Sequence, residues 1–353
     1  MVTVPDEKDS IIDERSDREI EILETLQQVE GSNLWAITYR RMRQDQLGMM
    51  GFWMVVGLLI VAITAFLLER YDAWFGLTNP TGDPWDLHNY YIEFWVPGTQ
   101  KYLRLIAHPK HIIGGDEIQP PSAQYPFGTD MMGHDIFSRM VFGTPLSLAV
   151  GFAGQMLTSV LGTVVGAISG YYGGLFDDIV QRINEIIMGL PDFILFIFVV
   201  ALFRDVSLRV PGGYYMVVIV ILSLIGWGGT SLIVRSTVLS LKAQEFIEAE
   251  RALGAKDFRI IFRHIIPNAL SPIIIITTLG IAGTIMSITG LAFFGLGDPT
   301  AVSWGDDLAT YRDQLMTYWW MPTFPAMMIF ITMLGFNLWG DALRDALDPK
   351  LKS

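Results

Sequence analysis

The chain has 353 residues, is 51% hydrophobic and has a formal charge of −12. That apolar content exceeds the usual soluble domain and points to a membrane protein. There is no cysteine, which excludes disulfides and thiol chemistry.

Residues 1–30 are polar and acidic. Ser16 and Glu19 have capping-box spacing ahead of Ile20, Leu23, Leu26 and Val29, which predicts a short surface helix. No cleavable leader is expected, because the first apolar run begins only near Leu47; that first span would act as its own insertion signal. Residues 32–46 place Leu34, Trp35, Ile37 and Tyr39 beside Arg40, Arg41 and Arg43. An aromatic and basic helix of this kind lies along a membrane surface.

Five stretches contain no Asp, Glu, Lys or Arg: 47–68, 140–176, 210–234, 265–297 and 314–340. A sixth, 186–203, carries only Asp192. About 20 residues cross a hydrocarbon core of ~30 Å. These runs are too long for tilted barrel strands, so helices are required. The expected fold is an all-α polytopic membrane protein with six transmembrane helices. Lys and Arg set its orientation: with both termini in the cytoplasm, the inner segments carry twice the Lys and Arg of the outer ones.

Residues 69–139 form a long outer segment rich in Pro, Gly, Asp and aromatics. The alternation in residues 92–96 and 101–106 predicts a small hairpin turning at Pro97-Gly98. His108 and His111 with Asp116 and Glu117 give only a loose metal-ligand pattern, and no metal site is assigned to it. Residues 126–148 then suit a tight turn followed by a helix start. Gly128 and Gly133 permit unusual backbone angles, and Thr129, Asp130 and Asp135 can cap exposed N–H groups.

Gly162, Gly166 and Gly170 recur at four-residue spacing, as do Gly280, Gly283, Ser287 and Gly290 at helical intervals. Small residues on one face let helices approach closely in lipid. Asp192 follows Pro191. It is either a pathway acid facing a cavity or a helix-start residue near headgroups.

The longest basic segment between two spans runs from Gln244 to Leu270. Arg251, Lys256, Arg259 and Arg263 alternate there with Ala249, Ala252, Leu253, Phe258, Ile261, Phe262 and Ile265 at a period near 3.6, interrupted at Gly254. Two short amphipathic helices with a Gly joint are expected, either as a basic loop that merely obeys the positive-inside rule or as a docking surface for a soluble partner. Among catalytic motifs, the chain holds no GxxxxGK[ST] loop, HExxH or GxSxG, so energy must come from outside it.

Glu248-Ala249-Glu250, three residues, Gly254, twelve residues and Pro267 reproduce the spacing of the EAA loop of ABC-importer permeases. Glu250 stands where that pattern has Ala, His264 where it has Ile, and Ile266 where it has Leu. Residues 126–148, 290–309 and 337–352 are also similar to the C-type permease subunits of the dipeptide/oligopeptide/nickel branch, where Arg is commoner at the position of His134. The resemblance covers roughly residues 33–70 and 122–352.

This resemblance implies the type I ABC importer permease fold. Residues 1–46 would be a cytoplasmic tail and interfacial elbow helix, and 47–68 the first span. Residues 69–139 would be extracytoplasmic, with an insertion at about 72–120. Residues 140–340 would form a five-helix core including a cytoplasmic coupling loop at 236–268, and 341–353 a cytoplasmic tail. The ATPase-coupling residues would be Glu248, Ala249, Glu250, Arg251, Ala252, Leu253, Gly254, Ala255, Lys256, Asp257, Phe258, Arg263, His264 and Pro267. Gly128, Thr129, Asp130, Gly133, His134 and Asp135 would lie where a binding protein docks.

The implied partners are a homologous permease subunit, two ABC ATPases, an extracytoplasmic substrate-binding protein and membrane lipids, with no nucleic acid. The chain itself would bind no cofactor and catalyse nothing, ATP and Mg belonging to the ATPases. Its cargo would be di- or oligopeptides, with nickel chelates or oligosaccharides as alternatives within the branch. A lone secondary transporter or channel, or a membrane scaffold, are the readings from other classes.

Overall fold

The computed structural model describes residues 38, 40–75, 91–96, 101–107, 118–123, 125–207, 213–298 and 301–347. The expected N-terminal surface helix and the residues of the loose metal pattern lie outside them. Nine principal helices and one hairpin make up the described fold. They are α1 Gln46–Phe75, β1 Tyr91–Val96, β2 Lys101–Ala107, α2 Ile136–Tyr172, α3 Gly174–Met188, α4 Asp192–Ser207, α5 Gly213–Leu241, α6 Glu245–Ala252, α7 Leu270–Leu291, α8 Trp304–Tyr311 and α9 Trp320–Leu347.

Among the described residues, five helices are long and apolar enough to cross a membrane: α1 over Gln46–Leu68, α2, α5, α7 with its continuation to Leu296, and α9. The sixth expected span differs from a straight helix. The amphipathic α3 and the apolar α4 are bent by 89° across residues 189–191. Pro191 supplies no N–H there, and α4 has only 16 residues, about 24 Å at 1.5 Å per residue. The pair counts as a sixth span only when taken together.

Other boundaries differ because the charge-free runs mark where lipid can lie, not where helices stop. α1 continues to Phe75, since no Gly or Pro occurs between Leu58 and Gly76 to interrupt it. α5 continues past Val234 to Leu241, so Arg235 is a helical residue. Between α2 and α3 the chain turns through Gly173 and Gly174, both left-handed at φ 66° and 60°, a region that favours glycine.

The expected hairpin forms. β1 and β2 pair antiparallel, with Phe94 opposite Leu103 and Trp95 opposite Tyr102, and a register shift falls between Ile92 and Glu93. The Pro97-Gly98 turn lies outside the described residues.

The glycine spacing in α2 has the expected consequence. A Cβ on Gly162 would fall 2.6 Å from Thr230 Cβ, one on Gly166 2.4 Å from Ser231 O, and one on Gly170 2.9 Å from Arg235 O. α2 and α5 therefore run side by side at backbone contact, both advancing in the same direction. In α7 the pattern splits. Gly280 abuts Gln155 and Gly290 abuts Phe193, but a Cβ on Gly283 would meet nothing within 4 Å, and the half-buried Ser287 donates its hydroxyl to Gly283 O within α7 at 3.0 Å.

A buried core joins α1, α2, α7, α8 and α9 through Val55, Ile136, Met140, Ile285, Trp304 and Phe336. Polar side chains also link α2 to α7: Thr284 Oγ1 donates to Gln155 Oε1 at 3.0 Å, and Thr277 Oγ1 to Ser159 Oγ at 2.8 Å. The start of α1 and the end of α9 also meet. Ala342, Leu343 and Ala346 are buried with Met42, so this part of the C-terminal stretch packs internally.

Candidate functional site

At one rim of the bundle, α5 ends and a short helical hairpin returns to α7. Lys242 begins it, α6 follows, and residues 257–268 form its second arm. Glu245 and Glu248 occupy the first turn of α6 and Arg251 its last, which matches the helix dipole at both ends.

Gly254 closes α6. Its φ is 80°; its N–H donates to Arg251 O at 2.9 Å, and Ala255 N–H donates to Glu250 O at 3.0 Å. These two bonds form the Schellman motif, which requires a left-handed residue at this position. The second arm begins at Asp257 and widens into π-type turns over Ile260–Ile265. Pro267 lies in the last of its short turns, Ile266–Asn268.

The hairpin is seated by Ile247, Ile260, Ile261 and Ile265, which are buried against Ala167, Tyr171, Val234 and Val238 of α2 and α5. This corrects the expected apolar stripe. Of the residues assigned to it, Ile261 and Ile265 face inward, whereas Ala249, Ala252, Leu253, Phe258 and Phe262 are exposed. Leu253 is 84% exposed and Phe258 70%. They form an apolar tip around the Gly254 turn, bordered by exposed Glu248, Arg251, Lys256, Arg259 and Arg263. Single exposed apolar residues are ordinary, but two large ones on one projecting turn suit a partner's surface. Glu250 Oε1 and His264 Nε2, both at departures from the EAA pattern, lie 3.6 Å apart between the two arms.

Two further ties fasten this rim, and sequence reasoning missed them. The Tyr171 hydroxyl donates to Asp257 Oδ1 at 2.7 Å. Arg235 Nε donates to Asp177 Oδ1 at 2.6 Å, joining α5 to α3. Neither partner is near the other in sequence, so no local signal announces them.

At the opposite rim lie Gly128, Thr129, Asp130, Gly133, His134 and Asp135. The side chains of Thr129, Asp130 and Asp135 are buried, and their use is internal. Asp130 Oδ1 accepts from the N–H groups of Met132 and His134, both at 2.8 Å. Its Oδ2 lies 2.8 Å from His134 Nδ1 and accepts from the Tyr311 hydroxyl at 2.9 Å. Burial alone would raise the Asp130 carboxyl; the bonds and charge of His134, with the Met132 N–H, hold it below its usual range.

Asp135 caps α2 by accepting from Ser138 N at 3.0 Å, while burial pushes its carboxyl up. Among these residues Met131 and Met132 are the exposed large side chains. The polar residues of this motif therefore build the turn, and the methionines form its outer surface.

This turn is locked to α8. Arg139 on α2 pairs with Asp307, which is 1% exposed, through Nε at 3.1 and 3.2 Å and through a second contact from its terminal nitrogen. Trp304 is fully buried and donates from Nε1 to Met140 O at 3.0 Å. Beside it, Asp306 accepts from the hydroxyls of Ser303 at 2.6 Å and Tyr215 at 2.8 Å. Burial, reinforced by the negative charges of Asp307 and Asp298, pushes its carboxyl up to about 6.

Asp192 is the first residue of α4, and its side chain is exposed. The geometry matches the helix-start role, where a carboxylate favours the dipole. Among the described residues, no group of three or more His, Asp or Glu is arranged to hold a metal ion.

The family of binding-protein-dependent transport system inner membrane components matches residues 162–353. A dipeptide transport system permease protein of Alkalihalophilus pseudofirmus is 34% identical over 320 residues, covering 90% of this chain and 91% of the relative. An oligopeptide transport system permease protein of Bacillus subtilis is 34% identical over 321 residues, 91% of each. A glutathione transport system permease protein of Escherichia coli is 34% identical over 319 residues, 90% of this chain and 91% of the relative. With a family match across more than half its length and relatives aligned over nine-tenths of it, the chain belongs to the inner-membrane permease components of binding-protein-dependent transport systems, the ABC importers.

Proposed function

We propose that this chain forms half of the membrane pathway of an importer for di- and oligopeptides. It pairs with a homologous permease subunit, two ATPases bind its cytoplasmic rim, and an extracytoplasmic binding protein delivers the substrate. The observation that carries the reading is the hairpin at residues 242–269. A Schellman-capped helix holds two large apolar side chains at an exposed, charge-bordered tip, while the roots of both arms are buried between α2 and α5. Such a part receives a push from outside and passes it to the bundle.

In this reading the tip and both termini are cytoplasmic, in keeping with the Lys and Arg distribution. The coupling residues are Glu248 to Phe258 with Arg263, His264 and Pro267. ATP binding draws the ATPases together, the hairpins move with them, and the two permease halves alternate between inward- and outward-open states. Such coupling requires contacts that differ between the two states. Peptides as cargo are supported by the names of the dipeptide, oligopeptide and glutathione permease relatives.

The test is purification of the tagged chain in a gentle detergent from its own host. Co-purification with two P-loop ATPases and a second permease, with ATP hydrolysis in the eluate, is expected. The co-expressed binding protein is then titrated with di-, tri- and oligopeptides, a nickel chelate and an oligosaccharide. Elution as a lone chain without ATPase activity would overturn the importer reading. Binding of only the chelate or the sugar would overturn the peptide assignment.

A further inference from the structure

Tyr171 lies one residue from the end of α2, and its side chain is buried. It touches both arms of the hairpin, one on each side of the Gly254 joint. Its hydroxyl donates to Asp257 on the second arm at 2.7 Å. The Arg251 guanidinium carbon, on the first arm, stands 5.2 Å from its ring centroid, within cation–π range. Its ring also belongs to the apolar cluster that seats Ile247 and Ile260. Lys242, where the hairpin leaves α5, donates from Nζ to Gly170 O at 2.9 Å and to Tyr171 O at 3.4 Å.

α2 is a continuous helix of 37 residues, about 55 Å long at 1.5 Å per residue. Its far end is fixed to α8 by the Arg139–Asp307 pair and by Trp304. One helix therefore reaches from the hairpin to the opposite rim, and Tyr171 is where the hairpin grips it. Apolar burial holds the hairpin down but is non-directional. The charge-assisted bond to Asp257 and the stacked Arg251 set an angle as well as a distance.

We infer that Tyr171 is a positioning residue for coupling: it fixes both arms of the hairpin to α2, so that displacement of the tip moves that helix and, through it, the opposite rim. The inference rests on the importer reading. The lever it adds is specific to one hydroxyl and one helix.

The test uses the complete importer, with its partner permease, ATPases and binding protein, reconstituted in vesicles. Peptide uptake and ATP hydrolysis are measured together for wild type, Tyr171→Phe, Asp257→Ala, the double variant and Asp257→Asn. Tyr171→Phe keeps the ring in its cluster and removes only the donor. Uptake per ATP is expected to fall about tenfold in Tyr171→Phe and in Asp257→Ala, the scale of one bond to a charged acceptor. The double variant should be no worse than either single one, because both remove the same bond. Asp257→Asn, which keeps an acceptor, should recover much of the ratio.

Melting temperature of the complex should change little across the set, which separates coupling from a structural role. A wild-type uptake-to-ATP ratio in both single variants, or losses that multiply in the double, would overturn the inference. If Tyr171→Phe does not assemble, Asp257→Ala, whose native side chain is exposed, decides alone, and an unchanged ratio there overturns it. A wild-type complex that neither hydrolyses ATP nor imports peptide would instead sink the importer reading.

Discussion

Gly254→Ala isolates a backbone effect at the hairpin tip. A Cβ built on Gly254 meets nothing within 4 Å, so the substitution creates no clash. The whole cost comes from φ 80°, where an L residue pays roughly 1–2 kcal/mol because its Cβ crowds the following carbonyl. The unbound hairpin can shed that strain by unwinding the last turn of α6, giving up the bonds from Gly254 N–H to Arg251 O and from Ala255 N–H to Glu250 O. The docked hairpin cannot do so without misplacing Leu253 and Phe258. The penalty should therefore appear as about 5- to 30-fold weaker docking of the ATPases.

The assay is titration of purified ATPase subunits against permease-containing nanodiscs, with membrane insertion checked independently. Gly254→Asn is the informative control, since Asn tolerates the left-handed region better than Ala; it should bind with an affinity between those of wild type and Gly254→Ala. Gly254→Pro should be worst, because proline fixes φ near −65° and removes the N–H that Arg251 O accepts. If Gly254→Ala docks like wild type, or if Ala and Asn are equally impaired, then φ at this position is not what shapes the tip.

Replacing Arg139 with Met leaves the Asp307 carboxyl, 1% exposed, without its cation, and the complex should lose about 3–5 kcal/mol, read as a lower midpoint in thermal denaturation. Joint replacement, Arg139→Met with Asp307→Leu, should recover most of it. Asp306→Asn should alter the pH dependence of stability. Its carboxyl is raised to about 6 in the fold, so the native state binds the extra proton, and its contribution is complete below the unfolded pKa and lost as pH rises through about 6. Wild type should thus lose at most about 3 kcal/mol between pH 4 and 6, whereas Asp306→Asn should show no such decline from this site and be the more stable above pH 6. Gly166→Leu should prevent α2 and α5 from packing, because even a Cβ there comes within 2.4 Å of Ser231 O; failure to recover the chain from membranes is the expected result, and normal recovery would refute the backbone contact.

The sequence made some of this structure legible and hid the rest for physical reasons. A glycine every fourth residue in α2 has one cheap explanation in lipid, and the structure supplies it as contact with Thr230, Ser231 and Arg235. Gly254 was equally readable, because only a left-handed residue closes α6 with both Schellman bonds. The apolar stripe of the hairpin was not. A period near 3.6 identifies a helix face, but the second arm widens into π-type turns at Ile260–Ile265, which shifts the face. Ile260 turns inward while Phe258 and Phe262 stay outside.

The bend between α3 and α4 was hidden for a related reason, since composition records which residues lipid tolerates and says little about where a helix axis turns. The long-range ties on α2 were the least legible. Arg139 meets Asp307 across 168 positions and Tyr171 meets Asp257 across 86, and neither pair has a local pattern. A charged residue at the edge of an apolar run reads as an interfacial anchor, but Arg139 uses the same position to join α2 to α8 at the rim opposite the hairpin. Both long-range ties fall on α2, the helix whose glycines already bring it against α5. In the proposed coupling, the residues that let α2 pack closely along its length and those that hold its two ends serve one mechanical requirement: a rod that transmits force must be supported along its side and gripped at both ends.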